Sequence, residues 1–191
     1  MAADRQAEGR ERIILGVDPG TRITGFGVIA VERGNILLLQ FGILQLAKYS
    51  GHELKLKKIF DRMIRLIDEF HPDEMAIEAT FYGKNIQSML KLGRAQGVAM
   101  AAALSRDIPI REYAPKKVKQ AVTGKGNASK EQVAGMLQNI FRFPDPPDLF
   151  DATDALAVAL CHAYNQNPRQ EKAKTWTSFL KENPQRVKGG L

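Results

Sequence analysis

Apolar residues come in two rhythms along this chain, short unbroken runs and longer stretches with helical spacing. Residues 13–18 open Ile13-Ile14-Leu15-Gly16-Val17, which leaves no wet face and predicts a short strand buried on both sides. Pro19-Gly20-Thr21 follows as a tight turn. Residues 26–31 and 36–46 predict two more strands, joined at Glu32-Arg33-Gly34-Asn35, where Gly-Asn favours a hairpin. From 54 to 70 the set Leu56, Ile59, Phe60, Met63, Ile67 and Phe70 has helical spacing, and His71-Pro72 stops it. Residues 74–79 predict a short buried strand, and 108–113 another.

Between those two strands, residues 85–104 predict a helix with Asn85 as its N-cap. Gly93 and Gly97 lie along it, each costing about 1 kcal/mol against alanine. Their spacing would let the sheet or a second helix approach closely. Residues 115–122 and 129–140 predict helices around Thr123-Gly124-Lys125-Gly126-Asn127, with Pro115 at a first helical position and Ser129 and Gln132 spaced as a capping box. Pro144-Asp145-Pro146-Pro147 reads as a rigid connector to a last helix at about 149–165. The order predicts an α/β fold: a mixed five-stranded sheet, three antiparallel strands then parallel crossovers, with helices on both faces. Residues 13–166 form the expected domain. Residues 1–12 are expected to be a flexible extension and 167–191 a basic, poorly ordered tail, with one amphipathic turn at Trp176, Phe179 and Leu180.

Composition narrows the class. At 191 residues and 44% hydrophobic content the chain can bury one core. Its formal net charge of +7 sits on an ordinary 26% of charged residues, so the bias favours polyanions without a polybasic tract. Cys161 has no partner for an internal disulfide and reads as a small buried hydrophobe. No apolar run approaches the ~18 residues of a membrane helix, and a cytoplasmic protein is expected.

Four acids change the picture. Asp18 ends the first strand, Glu78 ends Met75-Ala76-Ile77, and Asp151 and Asp154 open the apolar run Ala155-Leu156-Ala157-Val158-Ala159-Leu160. Buried acids are costly unless a cation neutralises them. Each has an ordinary explanation: a turn former for Asp18, a buried ion pair for Glu78, helix capping for the last two. Taken jointly they predict a hard-oxygen cage for Mg²⁺ or Mn²⁺ at converging strand ends. Such a cage, holding two ions, suits phosphodiester hydrolysis.

The motifs Gly16-Val17-Asp18-Pro19-Gly20-Thr21-Arg22-Ile23-Thr24-Gly25, Ala76-Ile77-Glu78 and Leu92-Gly93-Arg94-Ala95-Gln96-Gly97-Val98 resemble the RuvC family of Holliday junction resolvases. So do Glu112-Tyr113-Ala114-Pro115, Val118-Lys119-Gln120, Gly124-Lys125-Gly126-Asn127-Ala128-Ser129-Lys130 and Asp151-Ala152-Thr153-Asp154. The resemblance spans about residues 13–165 in the family's order. It implies an RNase H-like fold, a homodimer, and Mg²⁺-dependent symmetric nicking of two strands of like polarity at a four-way DNA junction in recombination and repair. A junction-recognition and branch-migration helicase complex is the implied partner.

On the same resemblance the family's acids fall on Asp18, Glu78, Asp151 and Asp154, its functional lysines on Lys119 and Lys130, and its junction-centre aromatic on Phe81. The motif here reads Glu78-Ala79-Thr80-Phe81, a departure from the usual start. Read from the residues alone, Phe81 follows a strand end and can stack on an opened base or close the core. Lys84, Lys91 and Arg94 fall on one helix face able to track phosphates or simply be solvated. Lys116, Lys117, Lys119, Lys125 and Lys130 form a denser basic group around a glycine turn.

Two cuts need two sites, and a two-fold dimer supplies them. The helix with the small residues Gly93, Gly97, Ala101 and Ala102 is the candidate contact, unless those small residues pack only on the sheet. Competing readings are a smaller resolvase-like RNA-processing nuclease, an actin-like phosphotransferase, and a module that binds branched DNA without cutting. The basic glycine segment argues against the first, the lack of a second phosphate turn against the second, and the acids against the third.

Overall fold

The computed structural model describes residues 11–80, 85–143 and 150–165. Five strands, β1 (Arg12–Asp18), β2 (Ile23–Glu32), β3 (Asn35–Gln45), β4 (Glu74–Glu78) and β5 (Ile110–Tyr113), form one sheet in the order β3-β2-β1-β4-β5. The first three run antiparallel, while β4 joins β1, and β5 joins β4, in parallel. Helices α1 (His52–Phe70) and α2 (Ile86–Leu104) cover one face. Helix α5 (Phe150–Asn165) lies on the other, with α3 (Pro115–Thr123) and α4 (Lys130–Phe141) packed on its far side.

Alternation along the strands divides the core in two. Leu15 and Val17 of β1 and Met75 and Ile77 of β4 meet α1 and α2, whereas Ile14 and Ala76 meet α5. By the same two-residue period, Gly16 and Asp18, and Glu74 and Glu78, face α5. That helix is buried continuously from Ala155 to Ala163, and its composition there is almost wholly apolar. It sits directly on sheet backbone. A Cβ at Gly16 would lie 2.3 Å from the Ala155 carbonyl, one at Gly25 1.9 Å from the Asp151 carbonyl, and one at Gly27 2.8 Å from Leu156 Cα. Gly16 and Gly27 are register partners, as are Asp18 and Gly25. Glycines on two neighbouring strands thus form the bed that sets the depth of α5.

Local signals hold at most element ends. Asn85 caps α2 by accepting from Ser88 N at 3.0 Å, and Ser129 and Gln132 form both halves of the capping box. His71, in the left-handed region at φ 48°, ends α1 just before Pro72. Two readings shift. The β2–β3 hairpin is tighter than Gly-Asn implies, because Arg33 (φ 48°) and Gly34 (φ 85°) are its central pair and Glu32 faces Asn35 across the ladder. Strand β2 starts at Ile23, not 26. The Thr24 hydroxyl donates to Gly20 O at 2.9 Å and accepts from Gly20 N at 3.2 Å, closing the turn early enough for pairing to begin there. The expected connector at Pro144–Pro147 and the tail with Trp176, Phe179 and Leu180 lie outside the described residues.

Candidate active site

The acid-bearing ends of β1 and β4 lie side by side, since Val17 pairs with Ile77 and each acid is the next residue. The first turn of α5 comes down over the same point, placed there by the glycine bed under Asp151 and Ala155. Carboxylate oxygens of Asp18, Asp151 and Asp154 all come within 4.8 Å of one another. Glu78 completes the group through its field, acting on Asp18 and feeling Asp154.

Burial pushes the Asp18 carboxyl up to about 8, and the charges of Glu78, Asp154 and Asp151 push the same way against the pull of Lys130. Burial, then Asp154, raises Glu78 to about 7, while Lys130 and Lys119 oppose. Carboxyls held this close and this dry are poor neighbours without a cation. Lys130, the first residue of α4, provides part of one: its Nζ lies 2.5 Å from Asp154 Oδ2. Burial works to lower the Lys130 ammonium, but the hydrogen bond and charge of Asp154, with Asp151 and Asp18, outweigh it and the net shift is upward. An all-carboxylate, hard-oxygen donor set, in which Asp18 and Glu78 are raised by burial and by their acidic neighbours, fits a divalent metal ion.

The basic group divides. Lys119 and Lys130 act electrostatically on the acids. Lys116 and Lys125 are exposed around the α3–α4 turn, whereas Lys117, also exposed, lies in the first turn of α3 near the C-terminal end of α5. The α3–α4 turn is fixed by Gly124, left-handed at φ 76°, and by the Thr123 hydroxyl, which sits 2.8 Å from Lys119 O and accepts from Lys125 N at 3.2 Å. Lys117 also stands over the Tyr113 ring at 5.2 Å. Lys91 and Arg94 are exposed on α2. Phe81 and Lys84 lie outside the described residues. Cys161 is buried with its thiol pushed by that burial up to about 11, in keeping with a packing role.

Gln96 escaped the sequence reading as a site residue. On the buried side of α2, its Nε2 donates to Glu78 O at 3.3 Å and to Glu112 Oε2 at 3.0 Å, and its Oε1 accepts from the Thr80 hydroxyl at 3.3 Å. This amide ties the end of β4 to α2. Its signal in the sequence is a lone polar residue among Ala95, Ala99, Ala102 and Ala103, the inward stripe of the helix.

A sheet of this order with acids at the ends of parallel β1 and β4, faced by an acid-bearing helix, defines an RNase H-like protein with a metal-type carboxylate site. The profile of the family described as crossover junction endodeoxyribonuclease RuvC matches residues 14–162. A relative of that name from Cytophaga hutchinsonii is 60% identical over 178 residues, covering 93% of this chain and 89% of its own. One from Porphyromonas gingivalis is 56% identical over 186 residues, covering 94% and 98%. The solved structure of Thermus thermophilus RuvC in complex with Holliday junction substrate superposes with a TM-score of 0.75 at 32% identity, over 81% of this chain and 94% of that one. The yeast mitochondrial Holliday junction resolvase, 12% identical with a TM-score of 0.55 over 81% and 78%, shares the fold. This chain belongs to the RuvC family.

Proposed function

We propose that the protein is a crossover junction endodeoxyribonuclease that resolves Holliday junctions in recombination and repair, acting in the cytoplasm on two strands of like polarity. The convergence of Asp18, Asp151 and Asp154 carries this reading, because three acids from a strand end and a helix start meet beside basic residues in a chain of net charge +7. Asp18, Glu78, Asp151 and Asp154 would hold Mg²⁺, two ions per site, with Mn²⁺ able to substitute. When bound, such ions supply an activated water and charge stabilisation at the scissile phosphate. Lys130 neutralises Asp154, and Lys119 faces Glu78. The remaining lysines around the glycine turn, with Lys91 and Arg94, contact phosphates. Phe81 and Lys84, next in the chain after Thr80, belong to the same assignment on the strength of sequence resemblance.

Two symmetric cuts call for two sites, and α2 offers the contact. Its outward line Ile86 (71% exposed), Leu90 (58%), Gly93, Gly97 and Leu104 (60%) has helical spacing, and a Cβ at either glycine would meet nothing within 4 Å. The glycines therefore do not serve packing on the sheet, whereas Ala102 is buried in the core and takes no part in this outward face. We assign this face to a two-fold homodimer whose helices approach closely at Gly93 and Gly97. A junction-recognition and branch-migration helicase complex is the partner assigned on the family resemblance.

The test is an incubation with a synthetic four-way junction, linear duplex, structured RNA and ATP, with and without Mg²⁺. Paired symmetric nicks in the junction alone, only with the metal, are expected. Cutting of RNA in preference to the junction, or binding without cutting, would overturn the assignment.

A further inference from the structure

We infer a second phosphate-binding bank on the α1 side of the sheet, opposite the α3–α4 lysines, so that the acids lie in a trough between two basic walls and a duplex arm of the junction rests on both. This rests on the proposed junction nuclease reading and extends its binding surface to residues outside the basic group recognised from the sequence.

The turn after Asp18 leads to Arg22, whose carbonyl accepts from Leu46 N at 2.8 Å and Ala47 N at 3.0 Å. That bond pair fastens the acid-bearing turn to the β3–α1 connection. There Lys48 Nζ stands 5.4 Å, and Lys58 Nζ of α1 5.6 Å, from the centre of the Tyr49 ring. One turn further along α1, the Arg62 guanidinium lies 4.5 Å from the centre of Phe26, whose register partner is Val17, the residue before Asp18. Lys55, Lys58 and Arg62 are three and four apart and share one helix face. Aromatic rings hold these cations in place without neutralising them.

Pairing elsewhere on α1 sets this face apart. Lys57 is neutralised by Asp61 at 3.2 Å, and Asp68, near the end of the helix, binds Arg106 at 2.9 Å. Arg22, Lys48, Lys55, Lys58 and Arg62 make no ion pair among the described residues. Unneutralised cations gathered at the acid end of the sheet, on an aromatic floor, match the repeating monoanions of a nucleic-acid backbone.

Binding of the full chain carrying Asp18→Asn to an intact four-way junction, in Mg²⁺ over a range of salt, tests this. Neutralising both cations at the ring, Lys48→Gln with Lys58→Gln, is expected to weaken binding on the order of tenfold at low salt. It should reduce the slope of log affinity against log salt by about 0.9 per lost contact. Lys57→Gln, which removes one positive charge from the paired position on the same helix, should leave the slope unchanged, and Lys58→Arg should restore it. An unchanged slope in the double variant, or an equal fall in Lys57→Gln, would overturn the second bank while leaving the nuclease reading intact. Failure of the Asp18→Asn parent to bind the junction at all would overturn both.

Discussion

Lys130 Nζ lies 2.5 Å from Asp154 Oδ2, joining the first turn of α4 to the N-terminal part of α5 at the edge of the acid group. The capping box of Ser129 and Gln132 fixes where α4 begins and hence where this ammonium stands. The net upward shift of Lys130 from the usual lysine range favours its charged form at neutral pH, so the role expected of it is that of a fixed cation and not of a base. Lys130→Met is expected to lower junction cutting by about 100-fold, the scale of removing one preorganised donor. The pH–rate profile of the variant should keep the parent's shape. A profile that loses a limb on substitution would mean that Lys130 itself exchanges protons in the reaction.

The raised acids give the metal-free protein a pH dependence of definite sign. Unfolded, these carboxyls titrate near pH ~4; folded, they hold protons up to about 8 for Asp18 and about 7 for Glu78. The folded state therefore binds more protons across that window. The stabilising contribution is complete below pH ~4 and is lost as the pH climbs through 7 and 8. A divalent cation takes the place of those protons, so Mg²⁺ should raise the melting temperature more at pH 8.5 than at pH 6. Asp18→Asn should raise the metal-free melting temperature at pH 8.5 and shrink the Mg²⁺ effect. It should also cut activity about a thousandfold or more while sparing junction binding. Thermal melts at the two pH values, with and without the metal, check the stability predictions, and cutting and binding assays on Asp18→Asn check the rest.

Much of this was legible in the sequence, and the reasons are local. Asn85, Ser129 with Gln132, and His71-Pro72 are signals complete within a few residues, so the helix ends they predict stand. The acids were readable because Asp18 and Glu78 each close an apolar run and Asp151 and Asp154 open one, and four such coincidences together outweigh the ordinary explanation each has alone. What stayed hidden depends on contacts across the fold. Gly16, Gly25 and Gly27 look like weak points in strands until α5 is seated on them. Gln96 looks like a surface amide until its partners Glu78, Thr80 and Glu112 arrive from other elements. The role of Gly93 and Gly97 was undecided between sheet and partner helix, because spacing gives a helix face but not the direction it points.

The glycine bed makes the site sensitive to one methyl group directly beneath it. At Gly25 a Cβ would lie 1.9 Å from Asp151 O and 2.7 Å from its carbonyl carbon, both backbone atoms that cannot rotate away. Gly25→Ala must lift the start of α5, costing about 1–3 kcal/mol of stability as overpacking does. The same shift carries Asp151 and Asp154 away from Asp18. Cutting should fall by about 100-fold, as displacements near 1 Å do, with junction binding kept. Denaturant melts alongside cutting assays measure both, and unaltered activity would show that α5 accommodates the methyl without moving its acids.

Gly97 sits in open space, so a larger residue there tests association without disturbing the core. Gly97→Leu should stabilise the isolated subunit by about 0.8–1 kcal/mol through helix propensity while blocking close approach of two α2 helices. Sedimentation should show a monomer that melts no lower than the parent subunit. Cutting of the junction should lose its paired symmetry. A dimer of parental strength from this variant would remove α2 from the interface.

At the other end of α5, His162 links Tyr113 of β5 to Glu74 of β4, with 2.7 Å from the tyrosine hydroxyl to Nδ1 and 2.7 Å from Nε2 to the Glu74 carboxylate. Burial lowers the imidazole from its usual range despite the pull of Glu74, which keeps the ring neutral near pH 7. A neutral ring fixes the roles: the Tyr113 hydroxyl donates to Nδ1, and Nε2–H donates to Glu74. Because the unfolded histidine takes up a proton below pH ~6.5 and the folded one resists, this group's contribution is lost as pH falls through that range. It therefore runs opposite to Asp18 and Glu78. Tyr113→Phe takes the hydroxyl from a wholly buried nitrogen and should cost about 1–3 kcal/mol, or roughly 2–12 °C in a domain this size. Asp151 and His162 lie at opposite ends of one rigid helix, so junction cutting below the melting range should be unchanged. A variant that melts normally but cuts poorly would instead place Tyr113 in the service of the acids.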